Sequence, residues 1–472
     1  MLDNMLNILK NGGNRIFYKI NDNEITYSTC YKRVIELSDV LERQGNSPVI
    51  VYGHKSIDQV ISILACIVSR RCYIPIDIYT PKKRIQEIIN NSKASLIIKN
   101  EELEINSLEC STINDLKNKY INKDKYITNN NKNAYIIYTS GSTGKSKGVP
   151  ITYKNLNNFI KWIINDNYFK NCSYPVVLST ASFSFDLSVM DLYFSIYKKA
   201  SIIGVDKDTK NNISNMYKII KDNKINFFIM TPTLIKMLIL DDNFNSTNYK
   251  EIKYIFLCGE PLETEIAKKI ITRFPKINLI NAYGPTEATC CVSLVRIDTN
   301  MLNKDYLPVG LIDKAAVNIN IINNEIVLKG DSVFSGYLKI NSNNCYKENN
   351  TNCYKTGDIG YIDNNYLYCK GRIDNQIKYQ GYRIELGDIE NNLLRINGIK
   401  EAVVICKYKD NSNIVRLIKA FVTIDNNINE DIIKNELEKI LPNYMVPKSI
   451  TILDKIPVNN NGKYDRKKLE NI

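Results

Sequence analysis

An apolar run, Ala134-Tyr-Ile-Ile-Tyr138, passes directly into Thr139-Ser-Gly-Ser-Thr-Gly-Lys-Ser-Lys-Gly148, and this junction constrains the chain more than any other segment. The run has the composition of a buried strand. The loop that follows interleaves three glycines with five Ser or Thr and two Lys. Free backbone N–H groups, hydroxyls and ammonium groups together are what a polyphosphate needs around it, so a nucleotide is implied. Gly144-Lys145-Ser146 invites comparison with the P-loop of NTPases, but that motif requires a glycine five positions before Gly144, where this chain has Thr139. An ordinary polar turn would account for one such glycine and accounts poorly for the whole cluster.

The flanking sequence predicts parallel α/β sheets with crossover helices. Residues 47–52, 72–76 and 95–98 read as strands, and Ile57, Val60, Ile61, Leu64 and Val68 recur between the first two at helical spacing. The same rhythm returns at 227–230 and 254–257, each followed by a helix-compatible stretch, 234–240 and 264–274. After about Asp374 the pattern changes: a helix near 388–395, strands at 402–406 and 420–424, and an amphipathic helix at 430–441 predict a separate small α+β domain. The Asn-rich stretches 129–133 and 341–350 read as surface loops.

Composition narrows the chemistry. With 472 residues the chain is too long for one ordinary core, and 44% apolar with 24% charged residues is the balance of a globular protein. Apolar stretches such as 60–68 fall short of the roughly 20 residues that span a bilayer, and the start MLDNMLNILKNGG lacks a signal peptide's charged end and long apolar run. A cytoplasmic protein with no membrane insertion is expected. Twelve cysteines are scattered with no C-x-x-C pair, which favours reduced thiols over disulfides or zinc. His54 is the only histidine, which argues against a Ser-His-Asp machine or a multi-histidine metal site. The net charge of +13 is spread over a lysine-rich chain without a basic stripe or arm, so no nucleic-acid partner is expected.

With its loop and motifs in order, the chain resembles the adenylate-forming superfamily, and within it the amino-acid adenylation domains. The resemblance implies a large N-terminal domain with α/β subdomains, residues 1–373, and a small mobile α+β C-terminal domain, residues 374–472. It assigns Thr139, Ser140, Gly141, Ser142, Thr143, Gly144, Lys145 and Lys147 to the phosphates of ATP. Asn281-Ala-Tyr-Gly-Pro-Thr-Glu287 matches the segment that binds adenine and the α-phosphate: Asn281, Ala282, Tyr283 and Gly284 hold the nucleotide, Thr286 contacts the reacting phosphate, and Glu287 holds Mg²⁺. A carboxylate beside a phosphate is tolerable only with a cation between them. Tyr354-Lys-Thr-Gly-Asp358 supplies the ribose acceptor Asp358, with Arg372 beside it and Asp374 as the hinge. Gln380-Gly-Tyr-Arg-Ile-Glu-Leu-Gly-Asp388 resembles the segment that enters the site for thiol transfer, with Gly381 allowing close backbone approach. Asn461-Gly-Lys-Tyr-Asp-Arg466 carries the catalytic lysine, Lys463.

Phe183-Ser-Phe-Asp-Leu-Ser-Val-Met190 puts Asp186 where amino-acid-activating members pair with the substrate's α-ammonium; the alternative is a helix cap at Leu187. A buried carboxylate opposite a fatty or aryl acid would be left unpaired at considerable cost, which argues against those substrates and against a CoA ligase. Leu187, Met190, Cys258, Ala282, Cys290 and Cys291 complete the expected substrate pocket. Val51-Tyr-Gly-His54, 183–192 and Phe256-Leu-Cys-Gly-Glu260 resemble the branch that loads D-alanine, in which a Cys before Gly-Glu selects the hand of the substrate; Cys258 takes that place here, or simply fills core space. Cys290-Cys291, Ala282 and 384–390 depart from that branch. They keep open a free-standing adenylation enzyme for another small amino acid, and a silent carrier-binding homologue also stands as an alternative.

The implied reaction is attack of the amino-acid carboxylate on the α-phosphorus of MgATP, then transfer of the acyl group to the phosphopantetheine thiol of a carrier protein after the small domain turns near Asp374. Only nine residues follow Lys463, so the carrier is expected to be a separate protein and the enzyme a monomer.

Overall fold

The computed structural model describes residues 2–105, 108–120, 132–141, 144–304, 306–409, 414–425, 428–459 and 464–472. Within them two predominantly parallel sheets form the body. One runs, in spatial order, Ser293–Arg296, Asn278–Tyr283, Tyr254–Leu257, Phe227–Met230, Val176–Ser179, Ser201–Gly204, Ile16–Ile20 and Asn23–Thr26. The five central strands, from Asn278–Tyr283 to Ser201–Gly204, are mutually parallel, so their carboxyl ends open at one edge. The second sheet orders Cys110–Ser111, Leu96–Lys99, Val49–Tyr52, Tyr73–Ile76, Asn133–Thr139 and Lys147–Thr152, with only the last pair antiparallel.

Strands at 49–52, 73–76, 96–99, 227–230 and 254–257 match the sequence reading to within two residues at their ends. Each is a short β-branched or aromatic run buried on both faces, the pattern of a parallel sheet covered by helices. The helix Ile57–Val68 begins where Ser56 accepts from the Gln59 N–H, and nearly all of it is buried. One expectation needs correction. The 341–350 stretch is not simply a loop: Cys345–Glu348 is a strand on Thr351–Asp363, because Asn349 and Asn350 both take positive φ and close a hairpin turn. The antiparallel sheet to which it belongs, built also from Gly310–Leu311, Asn318–Ile322, Glu325–Lys329 and Tyr366–Arg372, had no expectation attached.

The small C-terminal domain has its own core, from Ile377 to Ile450. It contains the hairpin Gln376–Tyr379 with Tyr382–Glu385, the helices Leu386–Leu393 and Glu430–Glu438, and the three-stranded sheet Ile399–Tyr408, Val415–Ile424 and Ser449–Ile452. The chain is thus a mixed α/β protein with a large N-terminal and a small C-terminal domain. No helix among the described residues is long and apolar enough to cross a membrane.

Beneath the edge where the parallel strands open, a charge pair is buried. Lys55 and Asp191 lie 3.6 Å apart, both essentially inaccessible, and Ser179 accepts from the Lys55 ammonium while donating to Asp191. Burial raises the Asp191 carboxyl to about 6 and lowers the Lys55 ammonium to about 8, so each partner keeps the other charged against the cost of desolvation. Removing one partner strands the other. Lys55→Met should therefore lose about 3–5 kcal/mol of unfolding free energy in denaturant titrations, whereas Lys55→Met with Asp191→Asn should recover most of it. A single variant as stable as the wild type would show that the pair carries no such penalty.

Candidate functional site

The carboxyl ends of the parallel strands converge on one cavity. Val176–Ser179 leads into Ala181 to Leu187, Phe227–Met230 into Thr231, Tyr254–Leu257 into Cys258 and Gly259, Asn278–Tyr283 into Gly284 to Thr286, and Ser201–Gly204 toward Lys210; all these segments line it. The second sheet brings Thr139 and Ser140, the antiparallel sheet Asp358 and Arg372, and the small domain closes it with Lys378 and Gln380 to Arg383. The space free of protein atoms, open mouth included, is about 1470 Å³.

Eleven expected residues thus share the cavity wall: Thr139, Ser140, Asp186, Leu187, Cys258, Gly284, Thr286, Cys290, Asp358, Arg372 and Gly381. Ala282, Tyr283, Glu287, Met190 and Cys291 are buried and do not line it. The Tyr283 hydroxyl donates to Asp358 Oδ2 at 2.6 Å, while Arg372 binds Asp358 Oδ1 at 2.8 Å and grips Asp374 with two further bonds. Asp358 therefore meets the cavity already oriented. The Asn281 amide donates to the Pro308 carbonyl at 2.8 Å, and Asn281 does not line the cavity. Gly141, Gly144, Lys145 and Lys147 stand outside the wall, and Ser142, Thr143 and Lys463 lie outside the described residues. On either side of Lys463, Val458 and Tyr464 bridge each other, and Tyr464 reaches Glu401 of the small domain.

Asp186 caps nothing. A short helix does start at Leu187, yet Asp186 has helical φ and ψ and its side chain makes no capping bond. Its carboxylate instead accepts from Thr286 Oγ1 at 2.6 Å on the cavity wall. Burial raises its pKa, only partly opposed by that hydrogen bond, so a cationic ligand group there would be held strongly. Cys258 and Cys290 put two thiols on the same cavity wall, and Cys291 is buried without lining it.

Sequence reasoning gave no role to Arg383 or Glu260. Arg383 places one guanidinium nitrogen 2.7 and 2.6 Å from the two oxygens of the fully buried Glu287, which also accepts from Tyr337 at 2.6 Å. Burial pushes the Glu287 carboxyl up, but Arg383 and Tyr337 outweigh it and hold it below the usual value. Glu260 accepts from the backbone N–H groups of Gly381 and of Thr233, tying the hairpin tip to the large domain. Ser140 bridges the Arg383 carbonyl and the Glu385 N–H, at 3.0 Å each, so the phosphate loop itself receives the hairpin. Both residues stood inside motifs already singled out, at 256–260 and 380–388. Neither carried a signal of its own there, because its partner comes from a distant part of the chain.

Two family profiles match the chain, AMP-binding enzyme over residues 8–338 and AMP-binding enzyme C-terminal domain over residues 388–463. The chain belongs to the AMP-binding enzyme family. It is 35% identical over 481 residues to a D-alanine--D-alanyl carrier protein ligase of Bacillus cytotoxicus, covering 93% of each chain, and 36% identical over 460 residues to one of Listeria welshimeri, covering 91% of this chain and 89% of that one. Among solved structures it resembles the Vibrio cholerae adenylation domain AlmE in complex with glycyl-adenosine-5'-phosphate, with a TM-score of 0.86, 22% identity and coverage of 99% and 96%. It also resembles holo-PA1221, a nonribosomal peptide synthetase protein containing adenylation and PCP domains, with a TM-score of 0.84, 20% identity and coverage of 99% and 83%. The enzyme is an AMP-forming ligase of this fold.

The hairpin tip gives a direct test of how the small domain of this ligase is seated. Gln380 and Gly381 both take positive φ, 53° and 83°, as the two-residue turn between Tyr379 and Tyr382 requires. A Cβ on Gly381 would lie 2.8 Å from Thr231 Cγ2. Gly381→Ala should therefore loosen the hairpin and raise amide exchange over 376–385 about tenfold, the size of a modest overpacking cost. Adding Thr231→Ser, which removes the opposing methyl, should restore part of the protection. Equal exchange in all three proteins would mean that the tip is not seated against Thr231.

Proposed function

We propose that the enzyme activates D-alanine with ATP as D-alanyl-AMP and transfers it to the phosphopantetheine thiol of a separate carrier protein. The observation that carries the amino-acid part is Asp186, a carboxylate on the cavity wall whose one hydrogen-bond donor among the described residues is Thr286. An α-ammonium supplies the charge it lacks, and the substrate carboxylate then points toward Thr286 and the nucleotide side defined by Asp358 and Arg372. The names of the curated relatives support D-alanine as the acid, and Cys258 on the wall is the residue that would crowd the opposite hand.

Residues 1–373 bind ATP and amino acid, and residues 374–472 move about Asp374 and carry Lys463. Gly381 at the cavity supports reading this arrangement as the one for thiol transfer, with its backbone beside the path of the arm. For adenylation the hairpin withdraws and Lys463 takes its turn. Glu287 fits Mg²⁺ in that state: its two oxygens face a cation already, Arg383, whose departure leaves a buried carboxylate that needs a replacement charge. The ion, when bound, supplies positive charge against the phosphates. Thr139, Ser140, Gly141, Ser142, Thr143, Gly144, Lys145 and Lys147 hold the leaving pyrophosphate, and Tyr283, Ala282 and Gly284 the adenine side.

Amino-acid-dependent pyrophosphate exchange with D-alanine, L-alanine and glycine tests the substrate, with D-alanine expected to have the highest kcat/KM. Cys258→Ala should narrow the preference for D- over L-alanine by about tenfold, the scale on which one small group in an apolar pocket discriminates. Lys463→Ala should abolish exchange while sparing thiolation from added D-alanyl-AMP. Equal loss of both activities would reject the division of labour, and exchange best supported by another amino acid would replace D-alanine.

A further inference from the structure

Lys210 lies in the short helix Lys207–Asn211, on no motif, and lines the cavity. It is mostly buried, and among the described residues its ammonium has no hydrogen-bond partner. Burial lowers its pKa, and the charges of Glu260, Asp191 and Asp77 pull it back up. Those neighbours locate it. Glu260 holds the Gly381 N–H. Asp77 receives His54 Nδ1 at 2.8 Å and the Ser182 hydroxyl, and its charge reaches Tyr382. Lys210 therefore stands on the side of the cavity flanked by the hairpin tip, whereas Asp358, Arg372 and the Arg383–Glu287 pair form the nucleotide side.

A partly desolvated ammonium that opens on the cavity, with no acceptor among the described residues, is placed to donate to an acceptor that arrives with the ligand. Asp77 and Glu260 nearby already balance its charge, so the acceptor that suits it is a neutral oxygen and not a second anion. We infer that Lys210 is a binding residue for the carrier's thiol arm, donating to an amide carbonyl oxygen of the pantetheine as it passes Gly381. This rests on the carrier-loading reading above. It adds a residue whose work belongs to the transfer step.

The test compares wild type, Lys210→Met and Lys210→Arg in D-alanine loading of the holo-carrier, and of free pantetheine and 4′-phosphopantetheine as small acceptors, with pyrophosphate exchange measured in parallel. Lys210→Met should raise KM for all three acceptors about tenfold, the equivalent of one lost charge-assisted hydrogen bond. The increase should exceed any change in KM for D-alanine or ATP several times over, and Lys210→Arg should recover most of it. A penalty confined to the phosphorylated acceptors would overturn the amide assignment in favour of the phosphate. A larger effect on KM for D-alanine than for the acceptors would put Lys210 in the amino-acid pocket. Unchanged acceptor KM, with normal loading by the wild type, would overturn the role of Lys210 alone; exchange without any wild-type loading would remove the carrier reading itself.

Discussion

The buried carboxylate of Glu287 is the constraint on which the domain arrangement depends. It sits at the end of a central strand with no solvent access, and its counter-charge comes from Arg383, 96 residues later and in the other domain. An ionised carboxylate cannot stay in such a place uncompensated, since breaking a buried pair costs several kcal/mol. The small domain is therefore free to leave only if another positive charge takes the place of Arg383. In the domain movement proposed above, its position is coupled to what occupies the cavity beside Glu287, which is the form of a two-state switch biased by a ligand.

Most of the remaining contacts across the domains are individually modest. Tyr382 and Tyr444 stack 3.8 Å apart and nearly parallel, with Phe185 of the large domain edge-on to Tyr382 at 4.9 Å. Arg84 reaches the buried Asp388 at 3.3 Å, whereas Lys409 reaches Glu263 at 2.8 Å on the exposed rim. Aromatic pairs contribute about 0.5–1.5 kcal/mol each and exposed ion pairs about 1 or less. Such a seam closes on the hairpin without locking it. The Glu260 carboxylate is more specific, because it reads backbone N–H groups and so fixes where the tip of the turn lies, whatever its side chains.

Much of the body was legible because it is written locally. Short β-branched runs such as 227–230 and 254–257 appear as strands within the residues the pattern marked, since burial on both faces leaves a continuous apolar signature. The glycine-rich loop stood out by its own composition, whereas Asp186, Asp358 and Gly381 were marked by resemblance to family motifs and are brought to one cavity wall. The antiparallel sheet around 318–372 was missed because its strands alternate weakly, with Asn and Lys on the exposed face and positive-φ Asn pairs at the turns at 323–324 and 364–365. Arg383, Glu260 and Lys210 were missed for another reason. Nothing in their own neighbourhood distinguishes them from solvated charges, and only the convergence of separate strands gives each its partner or denies it one.

Lys55 and Lys210 show how decisive that convergence is. Both are cations drawn into the same low-dielectric region under the strand ends, and both feel Asp191. Lys55 is bound within the protein: Ser179 accepts from it, Asp191 is 3.6 Å away, and its backbone N–H and carbonyl are fixed by Gln59 and Tyr18. Its charge is used up in holding the floor of the site. Lys210 has the same charge and nearly the same surroundings, but it faces the cavity and no acceptor among the described residues reaches it. Leaving it unmet on the path to Gly381 is therefore accounted for most simply by an acceptor that is present only while the carrier's arm is in place.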